Sequence, residues 1–174
     1  EEETANFNKL TPQEQLYYKV MKPKAGVLML MAKPGIAKSA MALNIAETMG
    51  AHYEDLRLSM ADETDFKFPF IDKKKQGDSE YSVSDSAIPR WAFDANTRPT
   101  IIHFEELNRA PQFVRNAALQ ILLERQIGGF KFNDNVLMLA SGNLGEEDGT
   151  DVEEFDNALK NRLITMNHTL AVKD

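Results

Sequence analysis

The sequence predicts an α/β sandwich built on a mainly parallel sheet, and three observations carry that prediction. Almost unbroken apolar runs recur at Val27–Ala32 (VLMLMA), Thr100 to Phe104 (TIIHF) and Val136 to Ala140 (VLMLA), the pattern of strands covered on both faces. Segments with helical spacing fall between them, and alternation of this kind calls for right-handed crossovers with helices on each side of the sheet. The 174 residues are 43% hydrophobic and 27% charged, which suits one domain with a real core. Residues 1–174 are therefore read as a single domain.

Taken in order, residues 1–10 are acidic and polar and are expected to be flexible. Thr11 caps a helix from Pro12 to about Met21, with proline at its favoured first position and Glu14 three residues after the cap. KPKAG, residues 22–26, breaks it. After the strand Val27–Ala32, a helix is expected from about Lys38 to Met49, stopped by Gly50. Leu56 to Met60 reads as a second strand. Residues 62–90, rich in Lys, Asp, Ser and Gly, read as an insert with short elements outside the core. Pro111 opens a helix with Val114, Ala117, Ala118, Ile121 and Leu122 on one face. Gly128 and Gly129 suggest a small hairpin. Asp156 to Arg162 looks helical, and Leu163 to His168 looks like a last strand.

Net charge is −7 and the isoelectric point about 5.1, a balance that argues against a nucleic-acid coat. There is no cysteine, which excludes disulfide scaffolds, thiolate metal sites and cysteine nucleophiles. No signal peptide or membrane-length apolar run is visible, so the expected location is cytoplasmic. His52, His103 and His168 show no ligand spacing. His103 and the single tryptophan, Trp91, read as packing residues, and the eight methionines as core filling.

Chemistry concentrates first in AKPGIAKS, residues 32–39. The phosphate-loop pattern is G-x-x-x-x-G-K-[ST]; Lys38 and Ser39 are in place, while Ala32 and Ala37 replace the framing glycines. Such a loop needs backbone amides around the phosphates and a helix N-terminus facing them. Pro34, Gly35, Ile36, Ala37, Lys38, Ser39 and Ala40 are the candidate binding residues. Gly35 supplies conformational freedom, Lys38 reaches the β- and γ-phosphates, and the Ser39 hydroxyl ligates Mg2+. Neither alanine removes a donor. A strand–turn–helix with a surface lysine is the bland alternative.

The second concentration is the acid pair Glu105–Glu106 at the end of TIIHF. At such a strand end in a phosphate-loop ATPase, the first acid manages Mg2+ and the second polarises the attacking water. Glu105, one methylene longer than the usual aspartate, is assigned to Mg2+ through water. Two solvated acids after a strand are the competing reading.

The segments EELNRAPQFVRNAALQILLERQIGGFKF, LRLSMADETDFKFPFID, LASGN and FDNALKNRL closely resemble the MoxR branch of the AAA+ ATPases, in the right order over most of residues 25–168. The resemblance implies a three-layer αβα P-loop NTPase sandwich with a five-stranded, mainly parallel sheet. It also implies ATP or ADP with Mg2+, and assembly into a ring, expected as a hexamer. By resemblance Asn143 senses the γ-phosphate or lytic water, and Arg162 is the arginine finger offered to a neighbouring subunit. Arg109 and Arg115 flank the acids and are candidates for an interface. Residues 62–90 correspond to the helix-2 insert, facing pore or client. The usual partners in this family carry a von Willebrand A domain. The helical lid of such modules is not present before Asp174. Remodelling of a client by hydrolysis is the function so implied; a hydrolytically silent nucleotide-binding scaffold and a nucleic-acid motor are the alternatives.

Overall fold

The computed structural model describes residues 1–33, 37–143 and 161–168. Five parallel strands form the main sheet: β1 (Val27–Ala32), β2 (His52–Arg57), β5 (Thr100–Glu105), β8 (Val136–Asn143) and β9 (Leu163–Asn167), in the order β2-β5-β8-β1-β9. The three central strands are buried along their whole length. The edge strands HYEDLR and LITMN are only partly buried, as expected of strands with a neighbour on one side only.

The two faces of the sheet build two cores. Leu28 and Leu30 of β1 join Ile101 of β5 and Leu137 and Leu139 of β8. They pack against Tyr17 and Met21 of α2 (Pro12–Met21) and Met41, Ala42, Ile45 and Ala46 of α3 (Lys38–Met49). Val27, Met29 and Met31 point the other way and join Ile102 and Phe104, because successive side chains alternate across a strand. That face is covered by α4 (Arg90–Ala95) and by Val114, Ala118, Ile121 and Leu122 of α5 (Gln112–Glu124). The result is the expected three-layer α/β sandwich. Trp91 sits half-buried among Phe66, Phe104 and Phe132.

The local punctuation behaves as its chemistry dictates. Thr11 and Glu14 close a capping box at the start of α2, and Gly50 ends α3 at φ 69°, a left-handed value that costs glycine little. Gly128 and Gly129 turn the short hairpin of β6 (Gln126–Ile127) and β7 (Phe130–Lys131).

Three expectations need correction. Residues 1–10 are not loose: α1 (Glu2–Phe7) is a helix. It packs on α3 and is tied to α2 by the Lys22–Glu3 ion pair at 3.1 Å, with Leu10 buried behind it. The second strand begins at His52 rather than Leu56, and Leu58–Met60 is a 3-10 turn; a polar edge strand carries too little apolar pattern to be seen. Within 62–90, the elements are not all short. β3 (Phe68–Gln76) and β4 (Ser79–Ala87) pair antiparallel along nine residues each around Gly77. This hairpin is mostly exposed, with Phe68, Ile71 and Tyr81 in solvent. The helix expected over 156–162 lies outside the described residues except for a turn at Asn161 and Arg162. No described helix is long and apolar enough to cross a membrane.

Candidate nucleotide site

Parallel strands all point their carboxyl ends to one edge of the sheet, where loops from β1, β5 and β8 meet. In open α/β sheets ligands bind in the crevice at that edge. β1 delivers the loop and α3; β5 delivers Glu105 and Glu106; β8 delivers Asn143. Parallel pairing fixes their level: Ala32 is opposite Asn143, and His103 is opposite Leu139. Pro34, Gly35 and Ile36 lie outside the described residues. Ala32 is fully buried, Ala37 has φ −71°, and neither has positive φ, so both glycine replacements sit on backbone that alanine adopts freely.

The structure brings Lys38, Asn143, Glu105 and Glu106 together. Lys38 Nζ donates to Asn143 Oδ1 at 2.9 Å. Burial lowers the pKa of the Lys38 ammonium, and the nearby Glu105 and Glu106 carboxylates only partly oppose that. Arg109 is close enough to add its own repulsion. Ser39 is half-buried. Ala40 is exposed. Glu105 is 6% exposed. Its carboxyl is pushed up to about 7, first by burial, then by the hydrogen bond and charge of Asp55; Arg57 opposes and Glu106 adds to it. Arg57 Nε stands 3.8 Å from Glu105 Oε2.

Glu106 adopts the left-handed conformation, φ 57° and ψ 40°, where a non-glycine residue is costly and tends to mark a functional position. Its carboxylate accepts from the Ser59 hydroxyl. Asn143 is held by Asn108 from two sides: Asn108 Nδ2 donates to the Asn143 carbonyl at 2.9 Å, and the Asn143 amide donates to Asn108 Oδ1 at 3.3 Å. A Cβ on Gly142 would stand 2.9 Å from that same Oδ1, so glycine is what lets Asn108 come this close.

Arg162 is elsewhere. Its carbonyl accepts from the Val27 amide, at the amino end of β1, and its exposed side chain is at the opposite edge of the sheet from Lys38. Within one chain it does not join the cluster.

Sequence reasoning passed over Asp55, Arg57, Ser59 and Asn108. Asp55 and Arg57 reach the acids because β2 pairs with β5 and places Arg57 opposite Glu105. Ser59 and Asn108 follow strand ends in turns. No local pattern marks any of the four.

A protein from Cytophaga hutchinsonii, solved as a candidate ATPase, superposes on this chain with a TM-score of 0.60, at 18% identity, over 97% of this chain and 50% of its own. The likeness is one of fold. The chain thus spans about half the length of that structure. No protein-family profile matches the chain, and no curated protein matches it.

Whether a nucleotide phosphate with Mg2+ would suit these residues is answered by the donor set. Ala37 leads into α3 without a side-chain cap, and no acidic residue lies in the first turn. The helix thus offers its amides and positive end to an anion beside a desolvated lysine. Among the described residues no three His, Asp or Glu side chains form a closed metal site. Mg2+ does not require one, being held by one or two carboxylates together with substrate phosphates and water. Asp55, Glu105 and Glu106 supply hard oxygen with more negative charge than the site easily holds. The residues fit.

Proposed function

We propose that the chain is the nucleotide-binding core of a MoxR-like AAA+ ATPase, which binds ATP with Mg2+ and hydrolyses it in a ring to remodel a client protein. The observation that carries this reading is the Lys38–Asn143 bond beside Glu105 and Glu106. Three segments well separated in sequence, around Lys38, Glu105–Glu106 and Asn143, each singled out for phosphate chemistry, converge at one strand edge.

In this reading Lys38 and the amides entering α3 bind the phosphates. Ser39 and Glu105 hold the cation, which when bound neutralises charge developing on the phosphate oxygens. Glu106 accepts the proton of the attacking water, and its left-handed backbone aims the carboxylate off the strand end. Asn143, clamped by Asn108, presents its side chain to the terminal phosphate. Arg162 acts only from a second copy, since its own site is at the other edge of the sheet, and this supports assembly. A finger of this kind contributes on the order of 10³–10⁵ in rate. A von Willebrand A domain protein is the proposed partner class.

The deciding experiment compares ATP binding and phosphate release for the wild type and Glu106→Gln. Binding retained with hydrolysis reduced about 10²-fold or more supports the assignment. Equal hydrolysis rates show that Glu106 activates nothing. The second reading, a silent nucleotide-binding scaffold, is favoured by one observation: the Glu105 carboxyl, buried beside Asp55, has its pKa pushed up to about 7. Wild-type binding without any turnover at pH 8 would select it. A nucleic-acid motor would require turnover stimulated by DNA or RNA with steep salt dependence.

A further inference from the structure

We propose that a cleft at the amino edge of the sheet is a second anion site, which takes a small phosphate ester. Its phosphate lies on Lys24, Arg125 and Arg162, and its organic body lies on an apolar floor. The cleft has a volume of about 380 Å³, within the range of small-ligand sites. It opens between the turn that leads from α2 into β1, the carboxyl end of α5 and the start of β9. Lys22, Lys24, Arg125 and Arg162 line it, and among the described residues no aspartate or glutamate does. The chain as a whole carries 27 acids against 20 lysines and arginines, so a cleft charged only by cations runs against the composition around it. With apolar walls beneath, such a cleft concentrates anions. The inference stands apart from the nucleotide reading, because it uses no residue of the carboxyl edge.

The backbone builds the cleft. The Val27 amide donates to the Arg162 carbonyl at 3.0 Å, which ties the turn to the start of β9. Gly26, at φ 132°, sits against Ile164: a Cβ there would stand 2.7 Å from Ile164 Cδ1 and 3.4 Å from the Arg162 carbonyl oxygen. Glycine therefore lets the two segments close up. Lys24 adopts φ 72°, a left-handed value that is costly for a residue with a Cβ and tends to mark functional positions. Glycine would meet that conformation without strain; lysine brings an ammonium to the cleft instead. Lys22 is already paired with Glu3 at 3.1 Å, whereas Lys24 and Arg162 have no side-chain partner among the described residues. Arg125 is half-buried, and its Nη2 is fixed by donating to the carbonyls of Asn133 and Val136. A guanidinium held this way presents its planar donors to a phosphate with little further ordering. Below the cations, Met21, Val27, Leu122 and Met138 are buried. A bare phosphate would leave that floor wet, and an ester with a small apolar body covers it, which selects the ligand class. An occupied cleft keeps Arg162 on its own chain and so withholds it from a neighbour.

The test titrates phenyl phosphate into the 174-residue chain and follows backbone amide shifts by NMR, with inorganic phosphate as the comparison. Saturable shifts are expected at Lys24, Gly26, Val27, Arg162 and Ile164. Phenyl phosphate is expected to bind about fivefold tighter than inorganic phosphate or better, from the apolar floor it covers. Lys24→Gly removes the ammonium and relieves the strain together, so its loss of binding cannot be put down to misfolding; about a tenfold loss of affinity is expected. Arg162→Gln is expected to lose about as much, and Lys38→Met to bind as the wild type does. No saturable shift at millimolar probe, shifts confined to residues 37–41, or unchanged affinity in Lys24→Gly and Arg162→Gln overturns the site. Equal affinity for the two probes overturns the ester as its ligand. Loss of binding in Lys38→Met shows that the probe occupies the nucleotide site instead. Binding that appears only together with self-association in sedimentation assigns the cleft to a neighbouring chain, and overturns a site complete within one copy.

Discussion

Two buried groups on β5 pull the pH dependence of stability in opposite directions, and removing one exposes the other. His103 has its pKa lowered from 6.5 to about 3, and Glu105, buried beside Asp55, has its pKa raised from 4.5 to about 7. As pH falls below 6.5 the unfolded chain protonates His103 and the folded chain does not, so stability drops by about 1.4 kcal/mol per pH unit. As pH falls below about 7 the folded chain protonates Glu105, while the unfolded chain waits until 4.5. That contribution raises stability on acidification with the same slope, and it is lost as pH rises through 7. Between pH 4.5 and 6.5 the two slopes cancel. His103→Gln leaves only the second, so relative to the wild type its unfolding free energy is expected to rise by roughly 2 kcal/mol on going from pH 6.5 to 4.5. His168, whose pKa burial also lowers, is present in both proteins and drops out of the comparison. The assay is urea unfolding in EDTA, followed by the fluorescence of Trp91. The variant starts less stable at pH 6.5, because Tyr53 and Ser141 lose their shared hydrogen-bond partner; the difference in slope is what counts. Parallel pH profiles would refute a neutral His103 and the electrostatic account of the strand end.

Three further changes test the site and its frame. Gly142→Ala drives a methyl against Asn108 and Met31; it is expected to cost about 1–3 kcal/mol in urea unfolding and to weaken nucleotide binding by releasing Asn143. Arg125 ends α5 in the left-handed region at φ 53°, and its Nη2 donates to the carbonyls of Asn133 and Val136 at 2.9 and 2.6 Å. Arg125→Ala keeps the strain and loses both bonds, so thermal unfolding should show a loss of about 2–4 kcal/mol. Lys38→Met removes a desolvated charge and is expected to change stability by no more than about 1 kcal/mol. Titration with a fluorescent ATP analogue should nevertheless show affinity reduced by about tenfold or more.

What could be read without coordinates is what short-range chemistry encodes. Central strands covered on both faces must be apolar throughout, so Val27–Ala32, Thr100 to Phe104 and Val136 to Ala140 announced themselves. Thr11 with Glu14, and Gly50, mark helix ends because capping is settled within four residues. Edges and self-paired elements escaped. HYEDLR gains its strand from one neighbour, α1 gains its helix by leaning on α3, and the β3–β4 hairpin pairs with itself while burying almost nothing. For the site, the sequence determined which residue types were available: Lys38, Ser39, Glu105, Glu106 and Asn143. Tertiary structure alone decided their company. Strand order set Asp55 and Arg57 beside Glu105, brought Asn108 against Asn143, and lined Tyr53, His103 and Ser141 across the sheet. Those pairings join residues 35 to 50 positions apart. No local periodicity specifies them, because they follow from which buried strand finds which neighbour.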